Sequence, residues 1–120
     1  MFHKIIIVGR LGADPEQKYT VDGKAVTTFS VAASNRKDET TWFRVSVWGN
    51  QAESCNQYLH KGSKVLVEGR LDPDKATGAP KVFQKKDGSW GSSYDVYADT
   101  VRFLSSRGES EQLTDEEVPF

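Results

Sequence analysis

Between residues 41 and 71 the apolar positions change period twice, and the rest of the chain is organised around that change. From Trp42 to Trp48 they alternate, so an extended chain puts Phe43, Val45 and Val47 on one face and Trp42, Arg44, Ser46 and Trp48 on the other. The first is an ordinary core face. The second sets two tryptophans around a cation and a small hydroxyl, which makes a poor dry interior and a good wettable platform for flat groups. Gly49-Asn50 follows, where Asn50 can cap a helix by offering its side-chain oxygen to an unpaired N–H of the first turn. Ala52, Cys55, Tyr58 and Leu59 then recur at spacings of three and four, predicting a short helix with one apolar stripe, ended by Lys61 and Gly62. Beyond it Val65, Val67, Gly69 and Leu71 alternate with Leu66, Glu68 and Arg70, a second strand with one apolar face.

Upstream, KIIIVGRL at residues 4–11 predicts a well-buried strand in which Gly9 marks a bend, a bulge or a closely approaching backbone. Gly12, Ala13, Asp14 and Pro15 signal a loop. Residues 18–21 run into Asp22-Gly23, a dipeptide whose two positions both tolerate positive φ and so suit a tight hairpin. Across residues 24–34, Thr27, Phe29, Val31 and Ala33 share one face, opposite the smaller, more polar Val26, Thr28, Ser30, Ala32 and Ser34. Residues 35–40 form a charged loop with Arg36 and Lys37 near its tip. After Leu71 a loop rich in Pro, Gly and Ala leads to a second hairpin signal, Asp87-Gly88, flanked by VFQKK and SW. This predicts a projecting β-arm bearing Phe83, Lys85, Lys86 and Trp90. A closing strand is expected over residues 94–104, with a phase change near Thr100 that fits a bulge or a strand end.

Length and charge refine this picture. The 120 residues suit one domain. The single Cys55 lies on the helical stripe and reads as a buried hydrophobe in a reducing compartment. With no leader and no apolar run of about 18 residues, a soluble cytoplasmic protein is expected. The net charge of -1 hides an asymmetry: Glu109, Glu111, Asp115, Glu116 and Glu117 leave residues 1–108 with 16 basic and 17 - 5 = 12 acidic groups, or +4. A basic body with an acidic tail points to nucleic-acid binding beside a separate interaction segment. The expected division is a domain over residues 1–105 and, over residues 106–120, a tail too polar to bury enough surface to order itself.

Strand, hairpin, strand, strand, helix, strand, long arm, strand is the order of an OB-fold, an all-β five-stranded Greek-key barrel with its one short helix between the third and fourth principal strands. Within it, IIVGRLG at residues 6–12, Asp14-Pro15-Glu16, Tyr19 before Asp22-Gly23, Thr41-Trp42 through Trp48-Gly49, Tyr58-Leu59, Lys61-Gly62-Ser63, VEGRL at residues 67–71 and the acidic tip ending in Pro119-Phe120 follow one another in a definite order. On these stretches nearly the whole chain resembles the bacterial single-stranded DNA-binding proteins. The resemblance implies sequence-independent binding of single-stranded DNA in replication, recombination and repair, a homotetramer, an association with the bacterial nucleoid, and recruitment of replication and repair enzymes through the tip. It places Trp42 at a base-stacking tryptophan position of the family, Trp48 at a stacking phenylalanine position and Phe83 in place of another stacking tryptophan. Trp90 has no certain counterpart, the family's tryptophan before the Trp42 strand is absent, and the low-complexity linker is nearly missing.

Stacking on Trp42, Trp48, Phe83 and Trp90 is the expected source of affinity, because every base has a π-face. Arg10, Arg36, Lys37, Arg44, Arg70, Lys85 and Lys86 are the candidate phosphate contacts, with Arg36 and Lys37 equally readable as a solvated loop. Trp90 is as readable as a hairpin stabiliser; Tyr19, Tyr58, His3 and His60 read as structural. Without a cysteine pair, an HExxH motif, a phosphate-cradling glycine loop or a nucleophile beside a base, neither catalysis nor a metal or cofactor is expected. Two other readings stand beside DNA binding: an OB-fold adaptor in replication restart, and an RNA-binding barrel. At the tip, Asp115, Glu116, Glu117, Val118, Pro119 and Phe120 read as a docking peptide, with Phe120 implied to enter an apolar pocket ringed by basic residues. Prediction: removing Val118, Pro119 and Phe120 abolishes capture of partner enzymes in a pull-down while leaving the affinity for oligothymidine nearly unchanged; a truncated protein that still recruits them refutes the docking role.

Overall fold

The structure, a computed structural model, describes residues 1–104; the expected tail and its docking tip lie outside the described residues. Its elements are β1 (Ile5–Leu11), β2 (Glu16–Tyr19), β3 (Ala25–Ser34), β4 (Thr40–Trp48), α1 (Asn50–Tyr58), β5 (Lys64–Leu71), β6 (Lys81–Gln84) and β7 (Trp90–Phe103). Alternating sequences give strands with one buried face. In β3, Thr27, Phe29 and Val31 point inward, in β4 Val45 and Val47, and in β5 Val65 and Val67. These meet Ile7, Leu11 and Val96 in a single core. β1 pairs antiparallel with β5 and, through Arg10 and Leu11, with β3. β3 pairs antiparallel with β4, β4 runs parallel to β7, and β7 returns antiparallel to β5. The circuit closes, giving the five-stranded OB-fold barrel expected from element order, with α1 between its third and fourth strands. β2 adds to β3 as a hairpin, and β6 with the first part of β7 forms the arm.

Closure depends on Gly9. A Cβ there would collide with the Ala32 carbonyl, so of the three expectations for this glycine the closely approaching backbone is the one realised. β1 itself is only half buried: Ile7, Gly9 and Leu11 face the core, while Ile6 is 60% exposed, because one face of the β1–β5 pair has nothing over it among the described residues.

α1 closes one end of the barrel with Ala52 and Cys55, helped by Leu59 just beyond its last turn. The buried Thr27 hydroxyl donates to the Ala52 carbonyl at 2.6 Å, tying β3 to the helix, and burial pushes the Cys55 thiol up to about 11. Three expectations about this helix are corrected. Gly49, with φ 72°, stands at the cap position and Asn50 is the first helical residue, with no side-chain cap. The helix ends at Tyr58 without a basic residue in its last turn, since Leu59 is already extended. Tyr58 leaves the apolar stripe for the surface, where its ring meets Phe103 at 6.4 Å.

Both glycine hairpins share one geometry. Within each turn only the glycine, Gly23 or Gly88, takes positive φ, and each donates its N–H to the carbonyl three residues back, Thr20 and Lys85. The expectation that Asp22 would share the positive φ is therefore corrected: this is a type I turn closed by a left-handed glycine. The strand into the first turn is Glu16–Tyr19, two residues earlier than expected, and the closing strand starts at Trp90, not at residue 94. The phase change near Thr100 is a bulge. Glu68 pairs with Thr100 and Gly69 with Ala98, leaving Asp99 over, and the Gln51 side chain of α1 serves the disturbed backbone by donating to the Asp99 carbonyl and accepting from Val101 N–H. Prediction: Gly9→Ala opens the β1–β3 seam and costs about 3 kcal/mol in a urea melt; an unchanged midpoint refutes the closure role.

Candidate nucleic-acid interface

The face of β4 that turns away from the core carries Trp42, Arg44, Ser46 and Trp48, with Trp42 52% and Trp48 37% exposed. Strand pairing extends each into a row across the sheet. Trp42 lies beside Ala32 of β3, and Ala32 beside Arg10 of β1. Arg44 lies between Ser30 and Asp95, and Ser46 between Thr28 and Tyr97, with Arg70 beyond Tyr97 on β5. Trp48 lies beside Val26, and its ring stacks on Tyr97 at 6.3 Å with an 11° tilt. At about 3.3 Å per residue, the two indoles are roughly 20 Å apart along β4. Between them the β3 neighbours, Ser30 and Thr28, are small, and a shallow depression of about 290 Å³ lies among Ala13, Glu16, Thr28, Ser30 and Arg44.

Gly12 sets the pose of Trp42. A side chain there would run into the edge of the six-membered ring of the indole, so the ring occupies the space that a Cβ at this position would need. Arg10 donates through Nη1 to the Gly62 carbonyl at 3.0 Å, leaving Nε and Nη2 buried without a partner among the described residues.

The arm continues this surface. Phe83 pairs with Gly91, and both fall on the face shared with Asp95 and Tyr97; the Phe83 ring and the Lys85 stem lie over Gly91, which has no side chain to displace them. At the arm's root Lys81 bonds Asp72 at 2.9 Å and reaches Asp95 at 3.5 Å, and the hydrogen bond to Asp72 raises its pKa. Arg36 and Lys37 are exposed in the β3–β4 turn, and Lys85 and Lys86 in the arm's turn. Trp90 goes elsewhere. It pairs with Gln84, so it stands on the reverse of the ribbon from Phe83. The structure thus brings Trp42, Arg44, Trp48, Arg10, Arg70 and Phe83 to one face and separates Trp90 from them. Tyr97 was missed. Its alternation with Val96 was visible in the sequence, but its place beside Trp48 follows from a parallel pairing that no local pattern announces.

An open, half-aromatic sheet face on an OB-fold fits single-stranded nucleic acid as chemistry, and comparison with known proteins bears on the same point. A model of the single-strand binding protein family matches residues 2–104. The chain belongs to that family. Among its curated relatives, a "Single-stranded DNA-binding protein" of Neisseria meningitidis is 37% identical over 116 residues, covering 90% of this chain and 63% of the relative. One of the same name from Xanthomonas campestris pv. campestris is 40% identical over 115 residues, covering 89% and 63%. A "Single-stranded DNA-binding protein 1" of Chlorobaculum tepidum is 38% identical over 91 residues, covering 66% and 56%. The chain thus spans under two-thirds of the length of these relatives. Prediction: in this single-strand binding family member, Gly12→Val displaces the Trp42 indole, shifting the tryptophan emission maximum of the free protein and weakening oligothymidine binding several-fold while the melting midpoint moves little; an unshifted spectrum refutes the role of Gly12 in placing the ring.

Proposed function

We propose that this chain binds single-stranded DNA without regard to sequence, protecting it during replication, recombination and repair. The observation that carries this reading is the β4 face, where two exposed indoles flank Arg44 beside the small residues of β3. The relatives' printed names support DNA as the ligand. Bases stack on Trp42, on Trp48 backed by Tyr97, and on Phe83, while Arg36, Lys37, Arg44, Arg70, Lys85 and Lys86 contact phosphates; Arg10, with Nη1 bonded to Gly62 and its other two nitrogens buried, adds charge from beneath the surface without a direct contact. Each stacked base contributes roughly 1 to 3 kcal/mol, so a few rings dominate the affinity. Tyr97 serves Trp48 by holding its plane, so that a base meets a fixed surface instead of a rotating one.

The protein acts by binding and not by catalysis, at the nucleoid. It assembles with further copies of itself into a homotetramer, a reading that the uncovered outer face of β1 and β5 supports, where Ile6, Val8 and Leu66 stand together. Residues 106–120 recruit replication and repair enzymes, a role that rests on their sequence and on the family resemblance.

The test is a fluorescence titration with oligothymidine, oligocytidine and matched RNA at two salt concentrations. Prediction: all DNA sequences quench strongly and alike, RNA binds more weakly, and Arg44→Ala reduces the salt slope by about 0.7, the value for one phosphate on a single strand. Absence of quenching by any strand favours the adaptor reading, and equal affinity for RNA favours the RNA-binding barrel; either outcome refutes the proposal.

A further inference from the structure

The arm and the β3–β4 hairpin form a fork whose purpose the outer face does not explain. β4 and β7 are parallel and pair only from Phe43 and Tyr94 onward. Before that seam, β4 stays with β3 from Thr40 and β7 stays with β6 from Trp90. Two ribbons therefore leave one seam in the same general direction, with no strand pairing between β4 and β7 before it. Each prong ends in a turn bearing two exposed cations, Arg36 with Lys37 on one and Lys85 with Lys86 on the other. Asp38, Glu39 and Asp87 share those turns, and Asp87 is already engaged by the Ser89 N–H at 2.9 Å and hydroxyl at 2.6 Å.

The reverse face of the arm is aromatic and uncharged. Trp90, Ser92 and Tyr94 alternate along β7, opposite Val82 and Gln84 of β6. Trp90 is 67% exposed, with no ring neighbour among the described residues. Tyr94 is half exposed and held at 5.8 Å from Phe43, which roots it in the barrel.

We propose that a single strand bound on the outer face passes through this fork and lays further bases on Trp90, with Tyr94 beside it, so that the arm is gripped on both sides. The inference rests on the DNA-binding reading above and extends it with a second stacking site. Two observations commit this surface to nucleic acid. The arm's tip carries an excess of cation, Lys85 and Lys86 against Asp87, the other prong offers Arg36 and Lys37 balanced by Asp38 and Glu39, and the arm's surface behind them carries rings and neutral polar groups, which matches a polyanion with flat apolar bases. The site also continues the outer face, since the ribbon is a single sheet layer thick and Phe83 lies on one side of it, Trp90 on the other.

The experiment uses the full chain with Trp42→Phe and Trp48→Phe together, leaving Trp90 as the only one of the three tryptophans. Binding of fluorescein-labelled oligothymidines of graded length is followed by anisotropy while Trp90 emission is read in parallel. The expected result is a length threshold: short oligomers bind with Trp90 emission unchanged, and longer ones reduce it at least twofold. Tight binding of every length with Trp90 silent overturns the inference and leaves the outer-face reading intact. A Trp90 emission shift that follows protein concentration without DNA also overturns it, by showing that a second copy covers the site. If the double variant does not bind, Trp90→Ala in the otherwise unchanged chain decides. The inference expects short-oligomer affinity to be kept and long-oligomer affinity to fall about tenfold, the loss of one stacked base; equal affinities at both lengths overturn it. Failure of the unaltered chain to bind any strand removes the underlying reading as well, and anisotropy alone shows that.

Discussion

The parallel seam between β4 and β7 is the constraint on which the rest depends. Val45 and Val96 face each other across it, and neither is more than 1% exposed. A slip of one residue would carry Val96 to the surface and turn Asp95 or Tyr97 into the core. Burying a valine contributes about 1.5 to 3 kcal/mol, and placing an unpaired carboxylate in its stead costs more than that gain, so the register is firmly held. Everything outside the barrel follows. Arg44 lies beside Asp95, Ser46 beside Tyr97, and Tyr97 is brought against the Trp48 ring. The arm's departure point is fixed by the same pairs, because β7 joins β4 only at Tyr94.

The short-range part of this architecture was legible in the sequence, and the reason is periodicity. Alternation in β3, β4 and β5 carries the inside and outside of the barrel directly, so the core valines and the outward indoles could be placed without coordinates. Turn chemistry did the same for Gly23 and Gly88. What failed were choices between near-equal local alternatives. Asn50 is a good cap, but Gly49 can take φ 72° and so reach the cap position one residue earlier. Tyr58 fits the helical stripe by spacing, yet Phe103 at the end of β7 offers its ring a surface partner, a contact spanning much of the chain.

The register of the strand pairing was not legible. Phe83 and Trp90 both read as aromatics on an arm, and only the register Gln84 with Trp90 and Phe83 with Gly91 puts them on opposite sides. The bulge at Asp99 was visible as a broken phase, whereas its partner Gln51 was not, since nothing in a helix sequence says that a side-chain amide will serve a distant strand's backbone. Local patterns thus found the rings, and the pairing of β6, β4 and β5 with β7 decides which rings act together.

Lys81 shows how the face reconciles acids with the phosphate path proposed for it. Asp72 and Asp95 share this one cation, and the Asp72 N–H also donates to the Asp95 carbonyl at 2.8 Å. Lys81 is more than a third exposed, so solvent screening holds each ion pair to at most about 1 kcal/mol, and the backbone bond with the strand pairing carries most of the anchoring. The salt bridges have a different consequence. They offset carboxylate charge at the root of the arm, where Asp95 lies beside Arg44, and they occupy a lysine that would otherwise compete for phosphate. Cationic attraction is thereby shifted outward to Lys85 and Lys86 at the tip, while the root stays fixed, and a ribbon held at its base and charged at its end is suited to lie against a strand without first having to be ordered by it.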